Sequence, residues 1–451
     1  MNVAVIGAGA AGCFCAAELA RLRPDFQITV YEAASRPLAK VAVTGGGRCN
    51  LTNSFADITD LAQAYPRGHR LMARLFRQFG PEDTWKWFEA AGVPLVLQED
   101  QCVFPRSQDA MQIVRTLLGL LRDRGVAVRT GRRLVSLRPP GNGTSELPVR
   151  SCALADTASD SGFPAANPGA LLGTALDGGF PDASREKRSG WRLVFEDGTI
   201  AETDAVVVTT GGSPKRSGLG FLDPLGLTVA EPVPSLFTFR IDGPVRELAG
   251  TVVPSASCLL AGTKFRASGP LLVTDWGMSG PAILKLSSYA ARHLAENGYK
   301  ATLLVNWLGD TSDAEARERI VQGIRGQEKK LLSSVRPDVL TARLWAHLLA
   351  RAELRPDLRA GELGSRGLNR LANVLTADSY AVAGRAKFKE EFVTCGGVDL
   401  SEINYNTLEA KRFPGLYFAG EVLDVDAITG GFNLQAAWTA GRVAAHSLAA
   451  R

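Results

Sequence analysis

Val3-Ala-Val-Ile-Gly-Ala-Gly-Ala-Ala-Gly12 is the stretch whose reading decides the fold. Its first four residues are an uninterrupted apolar run, the pattern of a strand buried on both faces of a parallel sheet. The glycines then fall as Gly-x-Gly-x-x-Gly, and the spacing predicts a helix over Cys13–Arg21. Gly7 suits a tight turn, Gly9 lets backbone approach a pyrophosphate, and Gly12 lets the helix lie close on the strand. Ala10 and Ala11 lie in the turn that leads into that helix, where N–H groups without intrahelical partners meet phosphate. A second strand, Gln27–Tyr31, ends in Glu32, twenty residues after Gly12. An acid there accepts hydrogen bonds from an adenosine ribose. Together these features predict an α/β, Rossmann-like dinucleotide-binding domain.

Composition frames the rest. At 451 residues the chain exceeds one typical domain. Its 45% hydrophobic and 22% charged content is that of an ordinary soluble globular protein. A net charge of +5 permits a polyanionic partner without requiring one. Seven cysteines with no Cys-x-x-Cys predict reduced thiols and a cytoplasmic location. No apolar run reaches the roughly 18 residues of a membrane-span candidate, so no membrane association is expected.

Along the chain, helical spacing recurs over residues 69–79, 82–91 and Gln108–Arg124, with short strands expected at Val126–Val128 and Leu134–Leu137. From 139 to 190 the composition turns to Gly, Pro, Ser, Ala and Asp without periodicity, which reads as a flexible insertion. Trp191–Glu196 alternates into an Asp197-Gly198 hairpin turn, and Ala205–Thr209 is a second β-branched run ending in Thr210-Gly211-Gly212. Short strands broken by Gly and Pro follow to Asn306, then helices at Asp313–Gly323, Arg325–Ser334 and Leu340–Arg351. Strand-like Glu391–Val393 and Leu416–Phe418 precede a closing helix that runs from the Gly430-Gly431 turn to about Leu448. The expected organisation is a nucleotide-binding domain in two parts, 1–212 and 387–451. A β domain at 213–310 and a helical subdomain at 311–386 interrupt it.

Three glycine-rich turns at strand ends suit a long dinucleotide such as FAD, because ligands of open α/β sheets lie outside the carboxyl ends of the strands. Gly7–Gly12 and Glu32 would take the ADP half, Thr210 and Gly211 would flank it, and Gly420 and Glu421 would hold its middle. The turn Gly430–Gln435 would face the pyrimidine edge of a flavin, where a helix N-terminus stabilises negative charge on the reduced ring. With only one such fingerprint, NADH or NADPH would serve as a transient electron donor rather than a resident cofactor.

Thr44-Gly-Gly-Gly-Arg-Cys-Asn-Leu-Thr-Asn53, Gly277-Met-Ser-Gly-Pro-Ala-Ile-Leu284 and Gly415–Gln435 together resemble the BaiN/YhiN-like, aminoacetone-oxidase-like family of FAD flavoproteins. The resemblance spans nearly the whole chain. It implies a glutathione-reductase-type FAD domain interrupted by a β-barrel and helical insert. It also implies that Lys40, Thr44, Gly46, Gly47, Arg48, Cys49 and Asn50 line the cofactor, with Gly420, Glu421, Gly430, Gly431, Asn433, Leu434, Gln435 and Ala436. Ser213–Gly226 departs from the family's usual segment after the second glycine turn. Family activities divide between reduction of conjugated C=C bonds in steroid-like acids, reduction of uracil in ribosomal RNA, and oxidation of small aminoketones. The first two share hydride transfer from flavin N5 to an electron-poor alkene, which is the expected reaction here. The alternatives are an amine oxidase and a flavin-binding RNA-interaction or redox-sensing protein.

Candidates for chemistry are few. Arg48 would clamp an anion, and Cys49 or Cys395 would supply a proton if either thiol is more than packing. Asn50 and Asn433 could bond flavin or cap turns, with the cofactor role favoured for Asn433 at a helix start. The four histidines, His69, His293, His347 and His446, all lie in helical segments away from glycine motifs, and no cluster has metal-ligand spacing. Arg67, Arg70, Arg74 and Arg77 form a stripe at helical spacing, open to a ribosomal RNA partner if not simply solvated. A small-molecule substrate is expected, and the oligomeric state is left open.

Overall fold

The computed structural model describes residues 1–141, 190–386 and 393–451. The expected insertion at 139–190 and the start of Glu391–Val393 therefore fall largely outside the described residues. Five parallel strands form the first layer, in the order Leu416–Phe418, Ala205–Val208, Asn2–Ile6, Gln27–Tyr31, Ala127–Arg129. Val3 stands beside Ala205 on one side and Ile28 on the other, so the two apolar runs lie adjacent at the sheet centre. All four residues of Ala205–Val208 are buried, as a strand covered on both faces requires.

The first helix, Ala10–Leu22, packs against the last, Phe432–Ala449. A Cβ on Gly441 would stand 2.7 Å from the Ala11 carbonyl oxygen, which is why the last helix carries a glycine there. Phe14 lies at the centre of an aromatic cluster with Phe79, Trp87, Phe88 and Trp438, at centroid separations of 4.3–6.1 Å. Each such pair adds about 0.5–1.5 kcal/mol beyond its burial. The helix Ala110–Asp123 is capped by Asp109, whose carboxylate accepts from Met111 N at 2.8 Å, and buries Ile113, Val114, Leu117 and Leu121.

A second core lies between residues 237 and 382. Six strands close into a barrel: Phe239–Ile241, Gly277–Ser279, Arg266–Thr274, Val252–Leu260, Ala301–Asn306 and Asp378–Arg385. Closure leaves no unpaired edge. Helices Asp313–Ile324, Ala342–Arg351 and Ser365–Ala377 share the barrel's hydrophobic core. A two-stranded ladder, Val229–Ser235 against Val393–Val398, carries the chain into and out of this region.

Three elements depart from the sequence reading. Asp378–Arg385, within the stretch read as helical, is a barrel strand paired to both Phe239–Ile241 and Ala301–Asn306. Two helices, Pro281–Tyr289 and Ala291–Glu296, interrupt the stretch read as strands. No α-helix spans Arg325–Ser334. The preceding helix ends at Ile324, Gly326 turns left-handed at φ +76°, and only a short 3-10 turn follows at Leu332–Ser334. Among the described residues no helix is long and apolar enough to cross a membrane.

Candidate functional site

The fingerprint turn has the geometry its glycines imply. Gly7 donates to Tyr31 O at 2.7 Å, which ties the turn to the second strand. A Cβ on Gly12 would sit 1.9 Å from the Gly7 carbonyl oxygen, so helix and turn are in backbone contact there. A Cβ on Gly9, by contrast, meets no atom within 4 Å, and Gly9 has an ordinary extended backbone at φ −84°. Helical bonding starts with Cys13 N to Gly9 O at 3.0 Å, leaving the N–H groups of Ala10, Ala11 and Gly12 outside the ladder. The Glu32 carboxylate accepts from Ala8 N at 2.7 Å and Ala34 N at 2.8 Å. Those two bonds leave lone pairs on both oxygens for a ribose diol. Open backbone beside free N–H groups, with a fixed carboxylate at the second strand's end, fits the pyrophosphate and ribose of FAD.

The second and third turns meet at Glu421. Its carboxylate accepts from Thr394 N at 2.8 Å and lies 3.8 Å from Lys40 Nζ. A Cβ on Gly211 would be 3.7 Å from the same carboxylate. Gly420 touches the first helix, since a Cβ on it would stand 2.9 Å from Ala11 Cβ. Thr210 is exposed beside them, while Thr209 is buried and its hydroxyl bonds Gly7 O at 2.9 Å. Thus Ala11, Lys40, Gly211, Gly420 and Glu421 converge, and Thr394 joins them from the returning strand. Sequence reading did not single out Thr394; its neighbour Cys395 drew attention instead.

The glycine run Gly45–Gly47 and Cys49 all hold positive φ, and Gly47 O is fixed by Ala110 N at 2.8 Å. Thr44 bonds Lys40 O through its hydroxyl at 2.7 Å. Gly46 and Gly47 face open space. Arg48 is exposed, its guanidinium 4.6 Å from the centre of the Phe104 ring, so it presents a supported cation at the rim. Cys49 points the other way. It is fully buried, and burial pushes its thiol up to about 12. Cys395 is also buried and its thiol is pushed up to about 11 by burial, with Arg67 lowering it and Asp426 raising it. Both thiols therefore stay protonated at neutral pH.

At the last helix the geometry separates backbone from side chains. Its ladder begins with Gln435 N to Gly431 O at 3.0 Å, so the N–H groups of Phe432, Asn433 and Leu434 lie outside it. The Asn433 side chain is spent on Ala427, accepting from its N–H and donating to its carbonyl, both at 2.9 Å. Asn50, with its amide set to suit its neighbours, donates to Thr52 O at 3.0 Å and accepts from Gly431 N at 3.3 Å. Gln435 and Ala436 are buried. What this turn leaves outside the ladder is the backbone N–H groups at 432–434, while the asparagine and glutamine side chains bond neighbouring segments.

A charged cluster unread in the sequence joins the two cores. Arg67 grips Asp426 with two nitrogens and donates to Ser288 O at 2.6 Å, and Ser235 Oγ donates to Asp426 at 3.0 Å. Asp426 is fully buried, and that burial raises its carboxyl despite the arginine. Arg67 therefore leaves the basic stripe, whereas Arg70, Arg74 and Arg77 remain exposed. No group of three or more potential ligands among the described residues could hold a metal.

Residues 1–153 and 180–447 match the model of the HI0933-like protein Rossmann domain. A 3-dehydro-bile acid delta(4,6)-reductase from Clostridium scindens is 25% identical, across all of this chain and 99% of its own length. A ribosomal RNA dihydrouridine synthase from Escherichia coli is 27% identical, covering 99% of this chain and 97% of its own. Among solved structures, a 3-ketosteroid delta1-dehydrogenase from Sterolibacterium denitrificans aligns over 99% of both chains, with 13% identity and a TM-score of 0.48.

Proposed function

The chain belongs to the HI0933-like family of FAD-dependent Rossmann oxidoreductases, and on that premise we propose that it reduces an electron-poor C=C bond with electrons from NADH or NADPH. When bound, FAD supplies a hydride at N5. The chain's own part is to bind, orient and polarise. Free N–H groups at 10–12 and 432–434 would face the two ends of the cofactor, and Lys40 and Glu421 would hold its middle. Partial positive charge at 432–434 stabilises the reduced ring. The substrate would lie between the nucleotide domain and the barrel, since ligand sites favour such junctions.

The observation that carries the reading is the single dinucleotide fingerprint, combined with relatives named for two hydrogenations. One is named for reducing a bile acid and the other for making dihydrouridine in ribosomal RNA. With one resident dinucleotide, NADH or NADPH would be a transient electron donor rather than a second bound cofactor. Exposed Arg70, Arg74 and Arg77 favour RNA uracil as the acceptor over a small molecule.

The test is anaerobic reduction of the holoenzyme with NADH or NADPH, followed by air, watching the visible flavin band. Fast bleaching with slow recovery supports the reductase. Bleaching by small amines alone, with fast recovery in air, replaces it with an oxidase. For the acceptor, binding of ribosomal RNA fragments should weaken steeply with salt and fall when Arg70 and Arg74 become Ala; no affinity at low salt removes RNA.

A further inference from the structure

We infer that Gln435 is a positioning residue for the flavin, acting through the first turn of the last helix rather than by contact. Its side chain is fully buried. The amide oxygen accepts from the Thr52 hydroxyl, and the amide nitrogen donates to the hydroxyls of Thr84 and Thr439, both at 2.9 Å. Thr439 Oγ1 in turn donates a hydrogen bond to Phe79 O at 2.9 Å. One amide thus ties together the 49–53 segment, the helix Pro81–Ala90 with Phe79 two residues before it, and the last helix.

Three further bonds grip the same helix start. Trp438 Nε1 donates to Leu51 O at 2.9 Å, Asn53 Nδ2 to Gly430 O at 3.1 Å, and Tyr65 Oη to Phe432 O at 2.9 Å. Every one of these three uses a carbonyl as acceptor. The N–H groups of 432–434 are left unspent, so the clamp fixes the helix while preserving its positive end.

Gly431 completes the fit: at φ +87° it caps the helix, and a Cβ there would stand 2.3 Å from Thr52 O. The 49–53 segment and the helix start are therefore at contact distance, with no slack for the helix to advance. A leucine would fill the Gln435 site without costing amide burial, which is unfavourable by about 1–3 kcal/mol when unpaired. What an amide adds is direction, fixing the helix along its own axis. Because the helix end stabilises the reduced flavin more than the oxidised one, its axial position sets the reduction potential.

The experiment is the two-electron midpoint potential of the FAD holoenzyme in Gln435→Leu and Thr84→Val, with FAD affinity measured on the same proteins by fluorescence titration. Oxidised FAD should bind within about threefold of the parent, while reduced FAD loses about tenfold, a shift of ~30 mV to more negative potential. The shift should be present at pH 8, where the reduced ring carries negative charge for the helix end to stabilise. Thr84→Ser, which restores the hydroxyl, should restore the potential. If Gln435→Leu does not fold, Thr84→Val and its serine rescue carry the test. An unchanged potential with a lowered melting temperature would make Gln435 a packing residue and overturn the inference.

Discussion

The fingerprint turn of the nucleotide-binding half and the Asp378 cluster of the barrel half meet their polar demands in opposite ways. Around the sheet, the decisive contacts are backbone against backbone: Gly12 on Gly7 and Gly441 on Ala11. In the barrel half the decisive contacts are side chains on a buried carboxylate. Asp378, 2% exposed, accepts from Trp307 Nε1 at 3.0 Å, Arg351 Nε at 2.7 Å and the Tyr380 hydroxyl. Backbone proximity leaves N–H groups free for a ligand, whereas a saturated carboxylate leaves nothing to offer. The difference teaches that the turn is built to bind and the Asp378 cluster to hold shape.

Four substitutions test that contrast, in falling order of effect. Gly12→Val should abolish folding, since its Cβ would lie 1.9 Å from a backbone oxygen with nowhere to move. The readout is loss of a cooperative melt, and a folded variant would break the backbone half of the comparison. Asp378→Ala should destabilise by about 2–4 kcal/mol, because the buried Trp307 Nε1–H and Tyr380 hydroxyl lose their acceptor. FAD content per folded molecule should not change; a colourless but folded variant would show that the barrel does more than hold shape.

Gly9→Val sharpens the contrast from the other side. Its Cβ has open space and an ordinary φ, so the melting temperature of the FAD-free protein should stay within about 2 °C of the parent. FAD affinity should fall by about 100-fold, or ~2.7 kcal/mol. A yellow variant with undiminished affinity would refute the pyrophosphate placement.

The smallest effect concerns pH. Burial lowers the His347 pKa, reinforced by Arg351 and opposed by Asp378 and Glu247. A depressed folded pKa means the neutral form stabilises the fold above about pH 6.5, and that contribution is lost as pH falls through the lower folded value. His347→Gln should therefore reduce the drop in melting temperature between pH 7.5 and 5.5 by ~1 °C. An identical drop in both proteins would place the acid sensitivity elsewhere.

Much of the nucleotide half was readable because its signals are local. Val3–Gly12, Glu32 and Ala205–Thr209 lie within a few residues of the turns they build. The helix at Pro281 had a signal too: Pro at the first helical position followed by Ala282, Ile283 and Leu286. The barrel closure had none. Phe239 pairs with Arg385, and nothing in either short strand names a partner so far along the chain. The same holds for Gln435, whose partners Thr84 and Thr52 are 351 and 383 residues away.

The sequence by itself determined the strand–turn–helix that receives a dinucleotide, the acid beside it and the glycine turns that converge with it. These follow from bond geometry and sterics acting over a few residues. Tertiary structure alone decided which side chains face a ligand and which stand behind it. It set Asn433 on Ala427, Cys49 in the core, Arg67 on Asp426 and Gln435 at the junction of three segments. The direction in which a polar side chain spends its hydrogen bonds depends on the partners within reach. In a folded chain those partners come from segments that sequence distance does not connect.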